Sequence, residues 1–196
     1  MHARLGLVFL ALLALLAVPC GAATPAFRTG TLEPPGPAPE FTLRADTGRT
    51  VRLRDWRGQV VLLYFGYTSC PDVCPTTLSD LADVKKQLGP RGRQVQVALV
   101  TVDPERDTAK RLHTYVQAFD PAFVGLTERK ATLAAVWKAY GVYVQSHRVP
   151  KSADGYIVDH SATTFVIDPE GRLRLAISFG TPVADILHDL QLLLPR

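Results

Sequence analysis

At 196 residues and 47% apolar side chains, the chain is long enough to close one domain around its own core. Its 3 cysteines are too few for the disulfide framework of a small secreted module. The formal net charge is +4, yet the 22 basic residues form no run longer than two and no extended aromatic-interleaved stripe, which excludes the electrostatic footprint of a nucleic-acid binder.

The first element is a leader. Arg4 precedes the apolar stretch Leu5 to Val18, the layout of an export signal, which places the remainder in the periplasm or on the outer face of the cytoplasmic membrane. Two readings of residues 1–23 stand side by side. Gly21-Ala22-Ala23 offers the small residues of a cleavage site, while the run from Leu5 to Ala23 approaches the ~20 residues that span a bilayer, so that the chain stays anchored. Cys20 follows Pro19, where lipid attachment wants a small residue, and is read as a small apolar part of the leader. Residues 24–35 read as a linker, because the prolines of Leu32-Glu-Pro-Pro-Gly-Pro-Ala-Pro39 favour an extended, semi-rigid spacer.

Residues 36–196 then alternate strand and helix patterns. Phe41-Thr-Leu43 and Thr50-Val-Arg-Leu53 flank Ala45-Asp-Thr-Gly48 and predict a hairpin. Val60 to Tyr67 is a continuous apolar run, the pattern of a central strand covered on both faces. From Pro75, Leu78, Leu81, Val84 and Leu88 recur at helical spacing until Gly89-Pro90 ends them. Val95 to Val102 reads as a second buried strand. Helices are expected from about Thr108 to Phe119 and from Arg129 to Tyr140. Thr163 to Asp168, the turn Pro169-Glu-Gly171 and Leu173 to Phe179 predict strand, turn, strand, and Val183 to Leu193 a closing amphipathic helix. The class is α/β: a thioredoxin-like fold with a central mixed sheet flanked by helices and an N-terminal β-hairpin.

The chemistry lies in Cys70-Pro-Asp-Val-Cys74-Pro75, directly after the first buried strand. Free N–H groups at a helix N-terminus favour a thiolate, which is both nucleophile and soft-metal ligand. Two geometries are open. On a continuous helix the two sulfurs share a face, whereas Pro75, favoured at the first helical position, would make Cys74 the cap of a helix that begins after it. A third ligand is available in His160, immediately before the strand Thr163 to Ile167, since the loop entering that strand faces the cysteine turn in a thioredoxin-like sheet. Two thiolates and an imidazole suit Cu(I), Cu(II) or, less selectively, zinc, although a structural zinc site wants a fourth ligand.

These segments resemble the Sco/SenC family, exported or membrane-associated copper chaperones of cytochrome c oxidase assembly. The resemblance runs from about Pro37 to Leu194 and rests on Gly66 to Leu78, on Thr101-Val-Asp-Pro-Glu-Arg-Asp-Thr108 and on Tyr156-Ile-Val-Asp-His160. It implies one copper ion held by Cys70, Cys74 and His160. It also implies delivery to, or thiol preparation of, the dinuclear copper centre of an oxidase subunit, with another copper chaperone as a possible second partner. Ala162 stands where thiol-disulfide oxidoreductases of this fold usually carry a cis-proline, which tilts the site toward metal.

Other roles are open to the same residues. Cys70 and Cys74 could be the attacking and resolving thiols of a reductase that keeps oxidase cysteines reduced, or a structural disulfide. A peroxidase would want Thr-x-x-Cys, which Tyr67-Thr-Ser-Cys70 does not supply. His113 and His147 are assigned to the surface. Asp72 and Asp159 could tune the thiolates or orient His160, while Asp103 and Arg106 are expected to shape a strand-to-helix turn.

Overall fold

The structure, a computed structural model, describes residues 26–149 and 155–195. In chain order the elements are β1 Thr31–Pro37, β2 Thr42–Ala45, β3 Thr50–Arg52, β4 Val60–Gly66, α1 Val73–Gln87, β5 Val95–Thr101 and α2 Ala109–Gln117. They continue as β6 Val124–Thr127, α3 Lys130–Ala139, β7 Val144–Arg148, β8 Tyr156–His160, β9 Thr163–Ile167, β10 Arg172–Ser178 and α4 Val183–Leu193. Short 3-10 turns at Leu53–Trp56 and Gly89–Gln94 join β3 to β4 and α1 to β5.

Every residue of β4 is buried, as its unbroken apolar run requires, and β4 lies in the middle of an eight-stranded sheet ordered β1-β10-β9-β4-β5-β6-β2-β3. β4 pairs parallel with β5, from Val60 opposite Val95 to Gly66 opposite Thr101, and antiparallel with β9. The parallel step needs a crossover, which α1 provides; α2 provides the next one, from β5 to β6. Phe65, Phe165 and Tyr140 meet ring to ring at 5.4–5.9 Å in the core. This is the expected thioredoxin-like arrangement, and it sets the C-terminal end of β4 and the N-terminus of α1 side by side at one edge of the core.

Three features differ from the sequence reading. The proline-rich run is no free spacer: residues 31–37 form β1, an edge strand antiparallel to β10 with an irregular register between Thr31 and Gly36. Proline is tolerated there because an edge strand leaves half of its N–H groups unpaired. The residues before it are fixed as well, since the fully buried Asp189 of α4 accepts from the backbone N–H of Arg28 (2.9 Å) and Thr29 (2.8 Å). Secondly, α1 begins at Val73 with Asp72 as its N-cap, so Cys74 lies inside the helix and does not cap one that starts at Pro75. Pro75 is then the third helical residue, and its missing N–H is one that has no intrahelical acceptor in any helix. Thirdly, β7 and β8 form a separate two-stranded sheet, and β6 extends the main one. Most β7 and β8 side chains are exposed or half-buried, so no alternation announces them.

Among the described residues, no helix is long and apolar enough to cross a membrane. The leader readings and Cys20 lie outside the described residues.

Candidate metal centre

The site grows from the end of β4. A Cβ on Gly66 would stand 2.9 Å from Cys74 Sγ and 2.8 Å from the Tyr64 ring, so glycine is what lets the sulfur lie against the strand. Cys74 is fully buried in the first turn of α1, and the Tyr64 hydroxyl, itself buried, donates to its sulfur at 3.5 Å. Cys70 sits in the turn before the helix, half-buried, and its sulfur accepts from the backbone N–H of Cys74 at 3.4 Å. The turn is anchored from behind by the buried Asp107. Its carboxylate accepts from the Thr68 hydroxyl (2.6 Å) and backbone N–H (3.2 Å), and from the Thr101 hydroxyl (2.7 Å) at the end of β5.

His160 arrives from the other side as the last residue of β8. Its Nδ1 lies 3.1 Å from the Ser161 carbonyl, which can only accept, so the proton belongs on Nδ1 and the Nε2 lone pair is left for the thiols. Nε2 is 3.4 Å from Cys74 Sγ. Tyr64 and Tyr67 present their rings edge-on to the imidazole at 6.2 and 5.9 Å. The hairpin that carries His160 is held by a polar brace. Arg106 stacks on the Tyr156 ring at 3.8 Å, donates to the Tyr156 carbonyl at 3.0 Å and pairs with Asp103, whose other oxygen accepts from the Tyr156 hydroxyl at 2.7 Å.

The sulfurs of Cys70 and Cys74 and a ring nitrogen of His160 all lie within 4.8 Å of one another, the one such cluster of three found among the described residues. Ligands around an ion with bonds of about 2.0–2.3 Å stand roughly 3.5–4 Å apart, so closing on an ion needs only small movements. The donors are soft, and the group is suited to copper. The two thiols divide one proton unequally. A hydrogen bond from Cys74 lowers Cys70 to about 4 against the opposition of burial, with further help from the backbone N–H groups of Cys74 and Asp72. Cys74 is pushed up, by its hydrogen bond to Cys70 and by burial.

The other candidates are elsewhere. His113 faces Asp46 at 3.3 Å, and His147 pairs with Asp159 at 3.4 Å. Asp159 therefore turns away from His160, as the residue before it on a strand must, and the Ser161 carbonyl does the orienting. Asp72 is exposed and takes a 3.5 Å contact from the Thr76 hydroxyl. Asp103 and Arg106 do shape the turn after β5, where the N–H of Arg106 and of Asp107 donate to the Asp103 carbonyl, and they also brace β8. Ala162 lines the groove beside Cys70 and His160. Tyr64, Gly66 and Asp107 carry supporting roles that sequence reasoning did not assign. A glycine closing an otherwise bulky apolar strand, and a second aspartate in Thr101-Val-Asp-Pro-Glu-Arg-Asp107, were the available signals.

A family model described as SCO1/SenC matches residues 31–194. Protein SCO2 homolog, mitochondrial, of Bos taurus is 44% identical over 135 residues, covering 67% of this chain and 50% of that protein. The match thus spans about half the length of that relative. Bradyrhizobium japonicum ScoI, solved with copper bound, aligns with a TM-score of 0.74 and 33% identity over 81% of this chain and all of that one. The solution structure of apo Sco1 from Thermus thermophilus gives 0.74 and 40% over 87% and 98%. The family match runs from β1 through the cysteine turn and β8 into α4, and the chain belongs to the SCO1/SenC family.

Proposed function

We propose that this protein is a copper metallochaperone: Cys70, Cys74 and His160 hold one copper ion and pass it, by exchange of ligands with a partner's thiols, to the dinuclear copper centre of cytochrome c oxidase. The observation that carries the reading is the convergence of two sulfurs and an imidazole nitrogen within 4.8 Å at the end of the central strand. Relatives solved with copper bound support the choice of metal, and the family's description as cytochrome c oxidase assembly proteins supports the destination.

Each residue has a task that its surroundings favour. Cys70 is half-buried and deprotonated at neutral pH, so it is the first donor an incoming ion meets and the first an acceptor can displace. Cys74, buried against Gly66, surrenders its proton on binding, and the Tyr64 hydroxyl then stabilises the sulfur's charge. His160 supplies a neutral nitrogen whose direction is fixed by Ser161. We place the protein outside the cytoplasm, held or delivered by residues 1–23, with the copper-binding domain following the leader.

A second reading has an observation of its own. An accessible, low-pKa Cys70 next to a buried Cys74 is also the layout of an attacking and a resolving thiol, so reduction of oxidase cysteines is the alternative activity. Copper titration of the dithiol protein separates the two. One equivalent should produce a thiolate-to-copper charge-transfer band that is lost in His160→Ala and in either Cys→Ser variant. Unchanged binding in all three would remove the site assignment, and thiol-disulfide turnover surviving His160→Ala would favour the reductase.

A further inference from the structure

Copper leaves through whatever surface lies over Cys70 and His160, because Cys74 is fully buried. That surface has unusual neighbours. The large hydrophobic side chains that stand exposed among the described residues are Tyr143, 57% exposed, and Phe179, 44% exposed. Both are tied to the two residues that follow His160. The Tyr143 N–H donates to the Ser161 hydroxyl at 3.0 Å, and its carbonyl accepts from the Ser161 N–H at 3.2 Å. The Phe179 N–H donates to the Ala162 carbonyl at 3.1 Å. The backbone positions that carry the two aromatics are thus tied to the segment that follows His160, and both rings stand open to water.

The charge there runs against that of the whole chain. Asp72 and Asp159 border the groove that holds Cys70, His160 and Ala162, the Asp159 carboxylate being paired with His147 at 3.4 Å, and Ala162 continues it into a second depression lined by Thr77, Asp80 and Phe179. Among the described residues lining these two depressions there are three carboxylates and no lysine or arginine, in a chain of net charge +4. The nearby cations are already engaged: Arg106 lies behind Tyr67 with Asp103 and Tyr156, and Arg111, which with Lys110 flanks a separate depression beyond Thr68, donates to the Ser69 hydroxyl at 2.8 Å.

We propose that Tyr143, Phe179 and the carboxylates Asp72, Asp80 and Asp159 form the docking surface for a protein domain whose metal-accepting cysteines lie in an apolar patch rimmed by lysine or arginine. This rests on the chaperone reading and names the chemistry of the partner's face. Aromatic side chains at the centre of a small interface carry a large share of its energy, and opposite charges at its rim raise the encounter rate in a salt-dependent way. An interface of this kind is short-lived, as repeated transfer requires.

The test follows copper passing from the loaded full chain to the reduced, soluble copper-site domain of a cytochrome c oxidase subunit, by stopped-flow absorbance. Phe179→Ser with Tyr143→Ser should leave Cu(I) affinity, measured against a chelator, within twofold of the parent and slow transfer tenfold or more. Asp80→Asn, which leaves the aromatics in place, should slow transfer several-fold and flatten its decline with added salt. Parental rates and parental salt dependence in all these variants would overturn the surface while leaving the metal site standing. Copper retained by the parent with no transfer to that domain would overturn the partner's assignment, and failure of the parent to bind copper would overturn the chaperone reading beneath it.

Discussion

Cys70 and Cys74 share one turn of chain and differ in everything else that matters to a thiol. Cys70 is lowered to about 4, chiefly by the hydrogen bond from Cys74, so it stays a thiolate until the pH falls toward that value, whereas Cys74 is raised and stays a thiol. Alkylation of the reduced, metal-free protein should therefore modify Cys70 first, at a rate flat from about pH 8 to about pH 5.5 and declining only near pH 4. An ordinary thiol slows tenfold per unit below about pH 8.5. Mass spectrometry of the modified peptide checks both site and profile, and a rate that falls steadily from pH 8 would contradict the shared proton. Gly66 makes a second residue-scale prediction. Gly66→Ala puts a methyl group 2.9 Å from Cys74 Sγ and should cost about 1–3 kcal/mol of stability by denaturant titration and at least tenfold in copper affinity. The thiol pair was legible in the sequence because few residue types hold soft metals and their spacing can be read, whereas His160 stood out by its place before a strand and by its resemblance to the family motif. Tyr64, Gly66 and Asp107 were not, since a tyrosine in a core strand, a missing Cβ and a turn aspartate gain their roles only from what the fold sets beside them.

At the scale of elements, the site joins two bodies: the β4–α1 junction, inside the main sheet and its helices, and the β7–β8 hairpin, outside it. The hairpin keeps its place through Arg106, Asp103 and Tyr156, so Arg106→Ala should loosen β8 without disturbing β4. A cation stacked on an aromatic ring contributes about 0.5–2 kcal/mol. Amide exchange of Ile157 and Val158 should quicken several-fold while that of Leu62 and Leu63 stays unchanged, and copper affinity should fall toward that of His160→Ala. Exchange quickening equally in both strands would mean that Arg106 holds the whole domain. Central strands and helices were readable because burial on one or two faces imprints a period. The hairpin was not, because β7 exposes most of its side chains, and β1 was hidden because three prolines in Pro34-Pro35-Gly36-Pro37 look like a spacer until an edge at β10 is available to receive them. Pro75 left two starts for α1 open, two residues apart, because a proline favoured at the first helical position is also accommodated at the third, whose N–H has no intrahelical acceptor.

For the molecule as a whole, copper at the proposed site favours the folded state, because the unfolded chain keeps Cys70 and Cys74 near each other but does not hold them beside a histidine 86 residues away. At free Cu(I) near 1,000 times the dissociation constant, binding adds about 4 kcal/mol, which for a domain of this size raises the melting temperature by on the order of 10 °C. Calorimetry with and without one equivalent of Cu(I) should show that rise in the parent and its absence in Cys70→Ser; equal rises in both would place the metal elsewhere. The burial of Cys74 has a further consequence for traffic. On the proposed chaperone reading, with its inner sulfur sealed against Gly66 and Tyr64 the site opens, among the described residues, over Cys70 and His160, so a protein that fills it and a protein that empties it need the same threshold. Donor and acceptor therefore call in turn and never together. Under the proposed role copper travels as passengers do on a ferry, landing before the next can load, and an excess of empty donor should slow delivery by occupying the quay.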